Sequence, residues 1–186
     1  MNEKNIADST KVSEPVGLQN IFLIEPTKEW KTEFLAMAQE FQVAGDERYK
    51  SAIENFSVYF EQLASYAQGV NLKPDRVPEN EFWLVNNDKI VARSKLRHRL
   101  TPALEHEGGH IGYNVRPSER QKGYGTLVLK LTLEKAKDLG LDKVLLTCDT
   151  DNIASAKIIE KNGGKLTGQT ISNKNSKQIS RYWIEI

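Results

Sequence analysis

The chain has 186 residues, 39% of them hydrophobic and 27% charged, and its 26 basic and 25 acidic side chains leave a formal net charge of +1. That balance excludes a bulk field able to hold a nucleic-acid backbone or an anionic membrane surface, and the length suits one domain around one apolar core. No run approaches the ~20 apolar residues of a membrane span, Met1-Asn2-Glu3-Lys4 lacks the apolar core of a signal peptide, and a lone cysteine forms no internal disulfide. A reducing, cytoplasmic setting is therefore expected.

Met1 to Leu18 is polar and aperiodic and reads as a flexible tail (1–18), which leaves 19–186 as a single domain. Ile21 to Glu25 is the first strand, ended by Pro26, with Thr27 placed to cap a helix from Lys28 to Val43. That helix carries Trp30, Phe34, Met37, Ala38 and Phe41 on one stripe. A second helix, Ala52 to Gln68, repeats the pattern with Phe56, Tyr59, Phe60 and Leu63. After the stiff loop Lys73 to Pro78, Phe82–Val85 and Lys89–Arg97 form two strands joined by the turn Asn86-Asn87-Asp88. Gly109–Val115 is the next strand, and Gly123–Leu139 a helix that Gly140 stops. Val144–Cys148 is a short apolar strand. Asn152–Asn162 is a helix closed by Gly163-Gly164, and Lys165–Ser172 and Gln178–Ile186 form a terminal strand pair.

The most informative segment runs from Val115 to Gly125. A strand ends at Pro117, and a helical pattern begins at the glycines, with Tyr124, Leu127, Val128 and Leu131 at i, i+3, i+4 and i+7. Glycines allow close backbone approach, and the free N–H groups and dipole of a helix N-terminus bind anions. Arg116, Arg120 and Lys122 add positive charge there, so the segment reads as a pyrophosphate cradle. It is not a Walker loop, because no Gly-Lys-Ser/Thr follows Gly125, nor a Rossmann fingerprint, because Val128 stands where the third glycine belongs.

Arg120-x-x-Gly123-x-Gly125 between a strand and a helix resembles the acyl-CoA loop of the GNAT superfamily of N-acetyltransferases. Asp151-Asn152-Ile153-Ala154-Ser155 followed by Lys161-Asn162-Gly163 resembles the superfamily's second signature. The element order β-β-β-α-β-α-β-β also looks like its core. The resemblance implies an α/β GNAT fold, with a mixed central sheet of about seven strands flanked by about four helices. It also implies transfer of an acetyl group from acetyl-CoA, without a metal, to a primary amine of a small molecule or peptide, by direct attack in a ternary complex.

By the same resemblance, the cofactor's pantetheine arm would enter a splay between Gly109–Val115 and Val144–Cys148 and pair with backbone at Tyr113, Asn114 and Val115. A backbone N–H there would stabilise the oxyanion. The pyrophosphate would meet N–H groups of Gln121, Lys122, Gly123, Tyr124, Gly125 and Thr126, with charge from Arg120 and, secondarily, Lys122 and Arg116. Asn152, with Ser155 one turn on, would approach from the other helix. The tyrosine that usually protonates the leaving sulfur is replaced by Ile159, which donates nothing. Ser155 and Cys148 lie nearby, although a single cysteine ending an apolar strand reads as a small buried hydrophobe rather than an acyl carrier.

His106-Glu107-Gly108-Gly109-His110 matches the zinc-protease pattern H-E-x-x-H, which requires both histidines on one helical face. Two central glycines disfavour that helix, and on a strand the histidines would stand roughly 13 Å apart. A metal-dependent hydrolase built from His98, His106 and His110 is the remote alternative. Within the acetyltransferase reading, Glu107 and His110 are the candidate bases for the attacking amine, with His110 preferred for its reference pKa of about 6.5. By the same resemblance, the acceptor groove would fall to Gly45–Arg48, to Arg97-His98-Arg99 with Glu105, and to Ser172–Lys177. If the two arginines alternate onto one inward strand face, they suit an acceptor carrying a carboxylate or phosphate. A non-catalytic acetyl-CoA sensor is the other alternative. A homodimer is compatible with the chain, and nothing in the residues specifies one.

Overall fold

A computed structural model describes residues 20–186; the tail expected at 1–18 lies outside them. Seven strands form two hydrogen-bonded sheets. The first is β1 (Ile21–Ile24), β2 (Glu79–Asn86), β3 (Lys89–Arg97) and β4 (Ile111–Val115), side by side in that order. The second is β5 (Lys143–Asp149), β7 (Gln178–Glu185) and β6 (Lys165–Ile171), with β7 in the middle. Every pairing within each sheet is antiparallel.

Side-chain alternation along the strands gives the molecule two apolar layers. Trp83 faces α1 (Lys31–Val43), where it stacks on Phe34 at 4.8 Å between ring centroids within a buried cluster that includes Phe41 and Tyr49. The neighbouring Phe82 faces the other way, joining Leu96, Ile111, Leu129, Leu146 and Ile159. That second cluster packs the sheets against α5 (Tyr124–Asp138) and α6 (Ile153–Lys161).

Three expectations need correction. The helix expected over Ala52–Gln68 is two helices, α2 (Lys50–Glu54) and α3 (Phe56–Gln68), because Asn55 leaves helical geometry and its Oδ1 caps α3 by accepting the Val58 N–H at 3.1 Å. Thr27 stands at a helix start but makes no capping bond, and a 3-10 turn, Lys28–Trp30, precedes α1. A short helix, α4 (Pro102–His106), was not expected. Proline occupies its first turn and Thr101 Oγ1 accepts the Leu104 N–H at 3.3 Å. There are therefore six α-helices among the described residues, two of them only five residues long.

Candidate active site

No ladder joins β4 to β5, so the two sheets meet only along a short joint. At that joint the His110 N–H donates to the Leu145 carbonyl at 2.7 Å, and the Leu145 N–H donates to His110 Nδ1 at 2.9 Å. Nearby, the Gly108 N–H donates to Thr147 Oγ1 at 3.0 Å. Gly109 is required here: its φ is +62°, and a Cβ would run into the Leu145 backbone, 2.8 Å from the carbonyl carbon. Further along β4 the strands stay apart, and a cleft of about 660 Å³ opens beside Tyr113, Asn114 and Val115.

Most residues of the expected pyrophosphate loop border the same cleft. Arg120, Gln121 and the helix opening from Gly123 to Thr126 form one wall, and Asn152 and Ser155 of α6 the other. The turn depends on left-handed backbone at Gln121 (φ 64°) and Gly123 (φ 85°). The first backbone bond into α5 runs from Leu127 N–H to the Gly123 carbonyl at 3.2 Å, which leaves the preceding N–H groups for an anion. Gly125 lets α5 approach α6, since a Cβ would lie 2.6 Å from Ile158 Cδ1. Asn152 Oδ1 accepts the Ser155 N–H at 3.0 Å, so Asn152 caps α6 while bordering the cleft.

The three cations of the loop differ in availability. Arg120 is exposed, with its guanidinium 6.0 Å from the Phe41 ring centroid, and makes no salt bridge among the described residues. Lys122 points to Glu119 at 2.8 Å, does not border the cleft, and shares that carboxylate with Lys89. Arg116 is buried between Glu33 and Glu40 of α1 and also donates to the Ile90 carbonyl. It braces the loop and does not contact the cleft. Sequence reasoning missed Phe41 and Lys157, which also line it, as does Arg48, expected in the acceptor groove. Lys157 is the additional cation on the α6 wall, two residues after Ser155.

His110 is placed against the role of base. It is 6% exposed, and burial together with the nearby Arg97 charge pushes its pKa down to about 4. In the neutral ring one nitrogen carries the proton and the other accepts. Nδ1 already accepts from Leu145, so Nε2 holds the proton and no lone pair remains. Glu107 does not border the large cleft. It follows α4, accepts from Ser172 Oγ at 3.0 Å and Lys174 Nζ at 3.1 Å, and borders a cavity of about 250 Å³ shared with Arg97.

The acceptor arginines also depart from expectation. Arg97 donates to the Gly108 and Gly109 carbonyls at 3.2 and 2.9 Å and pairs with Glu79 at 3.5 Å. Arg99 lies beyond the end of β3 and is exposed, as is Glu105 on α4. No common inward face forms. The histidines diverge too: His98 Nε2 bonds Asn80 Oδ1 at 2.6 Å and His106 Nε2 the Ile171 carbonyl at 2.9 Å. Among the described residues, no three His, Cys, Asp or Glu side chains group closely enough to hold a metal ion.

Comparison with known families identifies the domain that carries this cleft. The model of the acetyltransferase (GNAT) domain matches residues 24–165. The chain belongs to the GNAT acetyltransferase family. This GNAT domain has the fold of an acetyltransferase of the GNAT family from Streptococcus pneumoniae, at 16% identity and a TM-score of 0.61, covering 90% of this chain and 100% of that one. It is likewise similar to the microcin C7 self-immunity acetyltransferase MccE, solved with acetyl-CoA and AMP, at 18% identity and a TM-score of 0.67, covering 90% and 93% of the two chains. Mycobacterium smegmatis RimJ, solved with CoA-disulfide, aligns at 14% identity with a TM-score of 0.70, covering 89% of this GNAT domain and 81% of RimJ. No curated protein matches. No helix among the described residues is long and apolar enough to cross a membrane.

Proposed function

We propose that this GNAT domain binds acetyl-CoA in the cleft between β4 and α6 and transfers its acetyl group to a primary amine of a small molecule or peptide. The observation that carries the reading is the convergence, on one cleft, of the open edge of β4, the N–H groups at the start of α5 that have no backbone partner among the described residues, and the exposed guanidinium of Arg120. A diphosphate suits such a helix N-terminus, and an extended amide chain suits an unpaired strand edge. Acetyl-CoA supplies the activated thioester. The chain's own part is to orient it, to offer backbone N–H groups of the Tyr113–Val115 segment to the carbonyl oxygen, and to exclude water.

Direct attack by the amine is favoured over an acyl-cysteine route. Cys148 is half-buried and burial raises its thiol pKa, which disfavours the thiolate a nucleophile needs. Of the two candidate bases, only Glu107 keeps acceptor lone pairs free; it stands at the smaller cavity beside the cleft, so the proton leaving the amine is assigned to Glu107 by way of an intervening water. Release of CoA thiol over a panel of primary amines tests the function, with Glu107→Gln beside the wild type. Turnover that Glu107→Gln lowers at least tenfold supports both assignments. Binding of acetyl-CoA with no turnover of any amine favours the non-catalytic sensor, a reading invited by Ile159, which is fully buried in the core.

A further inference from the structure

Departure of CoA leaves charge on sulfur, and the position that usually stabilises it carries no donor here. Ile159 is 0% exposed, faces the second apolar layer, and has Gly164 packed directly against it. The hydroxyls bordering the cleft divide into two groups. Tyr124 and Thr126 stand in the first turn of α5, beside the loop expected to hold pyrophosphate, and Tyr124 already accepts from Asn86 Nδ2 at 2.6 Å. Tyr113 on β4 and Ser155 on α6 stand across the cleft from each other, and their hydroxyls meet at 2.9 Å. This bond spans the gap between strand and helix that the thioester must enter.

We propose that the Tyr113 hydroxyl, which donates to the Ser155 carbonyl at 3.3 Å, turns from it to become the hydrogen-bond donor to the departing thiolate, with Ser155 Oγ–H donating in turn to Tyr113 Oη. The assignment rests on the acetyltransferase reading above. The amine nitrogen forms its bond to the carbonyl carbon, and collapse of the tetrahedral intermediate breaks the C–S bond with the electron pair going to sulfur. The amine's proton goes to Glu107, and the thiolate departs as an anion held by the Tyr113 O–H. Tyr113 itself loses no proton. Burial raises its phenol to about 12, against the opposing effect of the Ser155 bond, so it remains a donor across the working range. Thiols near pKa 8.5 leave readily as anions, so a hydrogen bond suffices in place of full proton transfer.

The test compares wild type, Tyr113→Phe and a protein carrying a fluorinated tyrosine at 113, whose phenol ionises closer to neutrality. Tyr113→Phe is expected to lower kcat about 10- to 100-fold while the acetyl-CoA Kd, read by calorimetry, stays within about threefold. The fluorinated protein is expected to show a new alkaline limb in kcat that wild type lacks, which a merely structural hydroxyl would not produce. An active wild type with an unimpaired Tyr113→Phe, or a fluorinated protein without the new limb, overturns this proposal alone. A wild type that binds acetyl-CoA and acetylates no amine overturns the parent reading and this one with it.

Discussion

Arg116 Nε donates to Glu40 Oε1 at 2.7 Å, and the other oxygen of the same carboxylate accepts the Ser118 N–H at 3.1 Å. One side chain of α1 thus fixes both the basic residue that opens the loop and the backbone two residues later. Glu33 holds Arg116 from two helical turns before, and also accepts the Ile90 N–H at 3.1 Å. The loop that carries Arg120 is therefore anchored to the helix layer on the opposite side of the sheet.

Glu40→Ala should therefore loosen the loop and destabilise the fold. Glu33 remains as a partner and the Glu40 side chain is 30% exposed, so the loss should be about 1–2 kcal/mol, below that of a fully buried pair. At this chain length that is a fall of several °C in Tm, roughly 2–4 °C per kcal/mol. Burial alone would raise the Glu40 pKa, but the bonds from Ser118 and Arg116 outweigh it and hold the carboxyl below its ordinary value. This stabilisation is complete above the unfolded carboxylate pKa and is lost as pH falls through the lower folded value. Acid unfolding of Glu40→Gln, followed by circular dichroism, should show a shallower loss below about pH 4.5.

His110 gives the protein a second, higher pH window. Its folded pKa of about 4 lies below the ordinary 6.5, so between these values the unfolded chain binds a proton that the native chain does not. Stability is full above the unfolded value and falls as pH drops toward 4, by on the order of 2–3 kcal/mol. Urea midpoints measured between about pH 7.5 and 5 should fall with pH in wild type and change less in His110→Gln, which has no imidazole to protonate.

Gly109→Ala should be severe. The residue has left-handed backbone and its new methyl would meet the Leu145 main chain, which cannot swing aside as a side chain can. A loss of about 3 kcal/mol or more is expected, measurable as a large fall in the denaturant midpoint. Gly123→Ala, with the same sign of φ but nothing within 4 Å, should cost less.

Much of this arrangement was legible in the chain. The strand, the two glycines and the following helical period lie within a dozen residues, so local pattern alone marks the cradle. Asn152 and Ser155 were likewise marked by a local cap. What escaped depends on partners far away in sequence. Arg116 read as a phosphate ligand because nothing nearby revealed that Glu40, 76 residues earlier, claims it. Lys122 was misread despite a local partner, Glu119, three residues before it. His110 looked like a base because its capture by the Leu145 N–H is a tertiary contact. Tyr113 gave no sign of its hydroxyl's partner. The short α4 is different: Thr101-Pro102 is a local start signal, overlooked beside the histidine motif that follows.

Arg120→Ala and Lys122→Ala separate a free charge from a paired one. Removing Arg120 should weaken acetyl-CoA binding by about 10- to 100-fold, the effect of one or two charge-assisted hydrogen bonds, with little change in Tm because it is exposed and makes no ion pair among the described residues. Lys122→Ala should cost less than about threefold, since its ammonium already serves Glu119. Equal losses from the two would mean that the pyrophosphate lies elsewhere.

Calorimetric titration of acetyl-CoA into the protein, beside an Arg120→Ala, Gly125→Glu double variant, bears most directly on the cradle at the start of α5. Saturable one-to-one binding by the wild type, lost in a variant that still unfolds cooperatively, is the expected result. Absence of binding by the wild type at millimolar acetyl-CoA, or undiminished binding by the double variant, would contradict the assignment of this cleft to the cofactor.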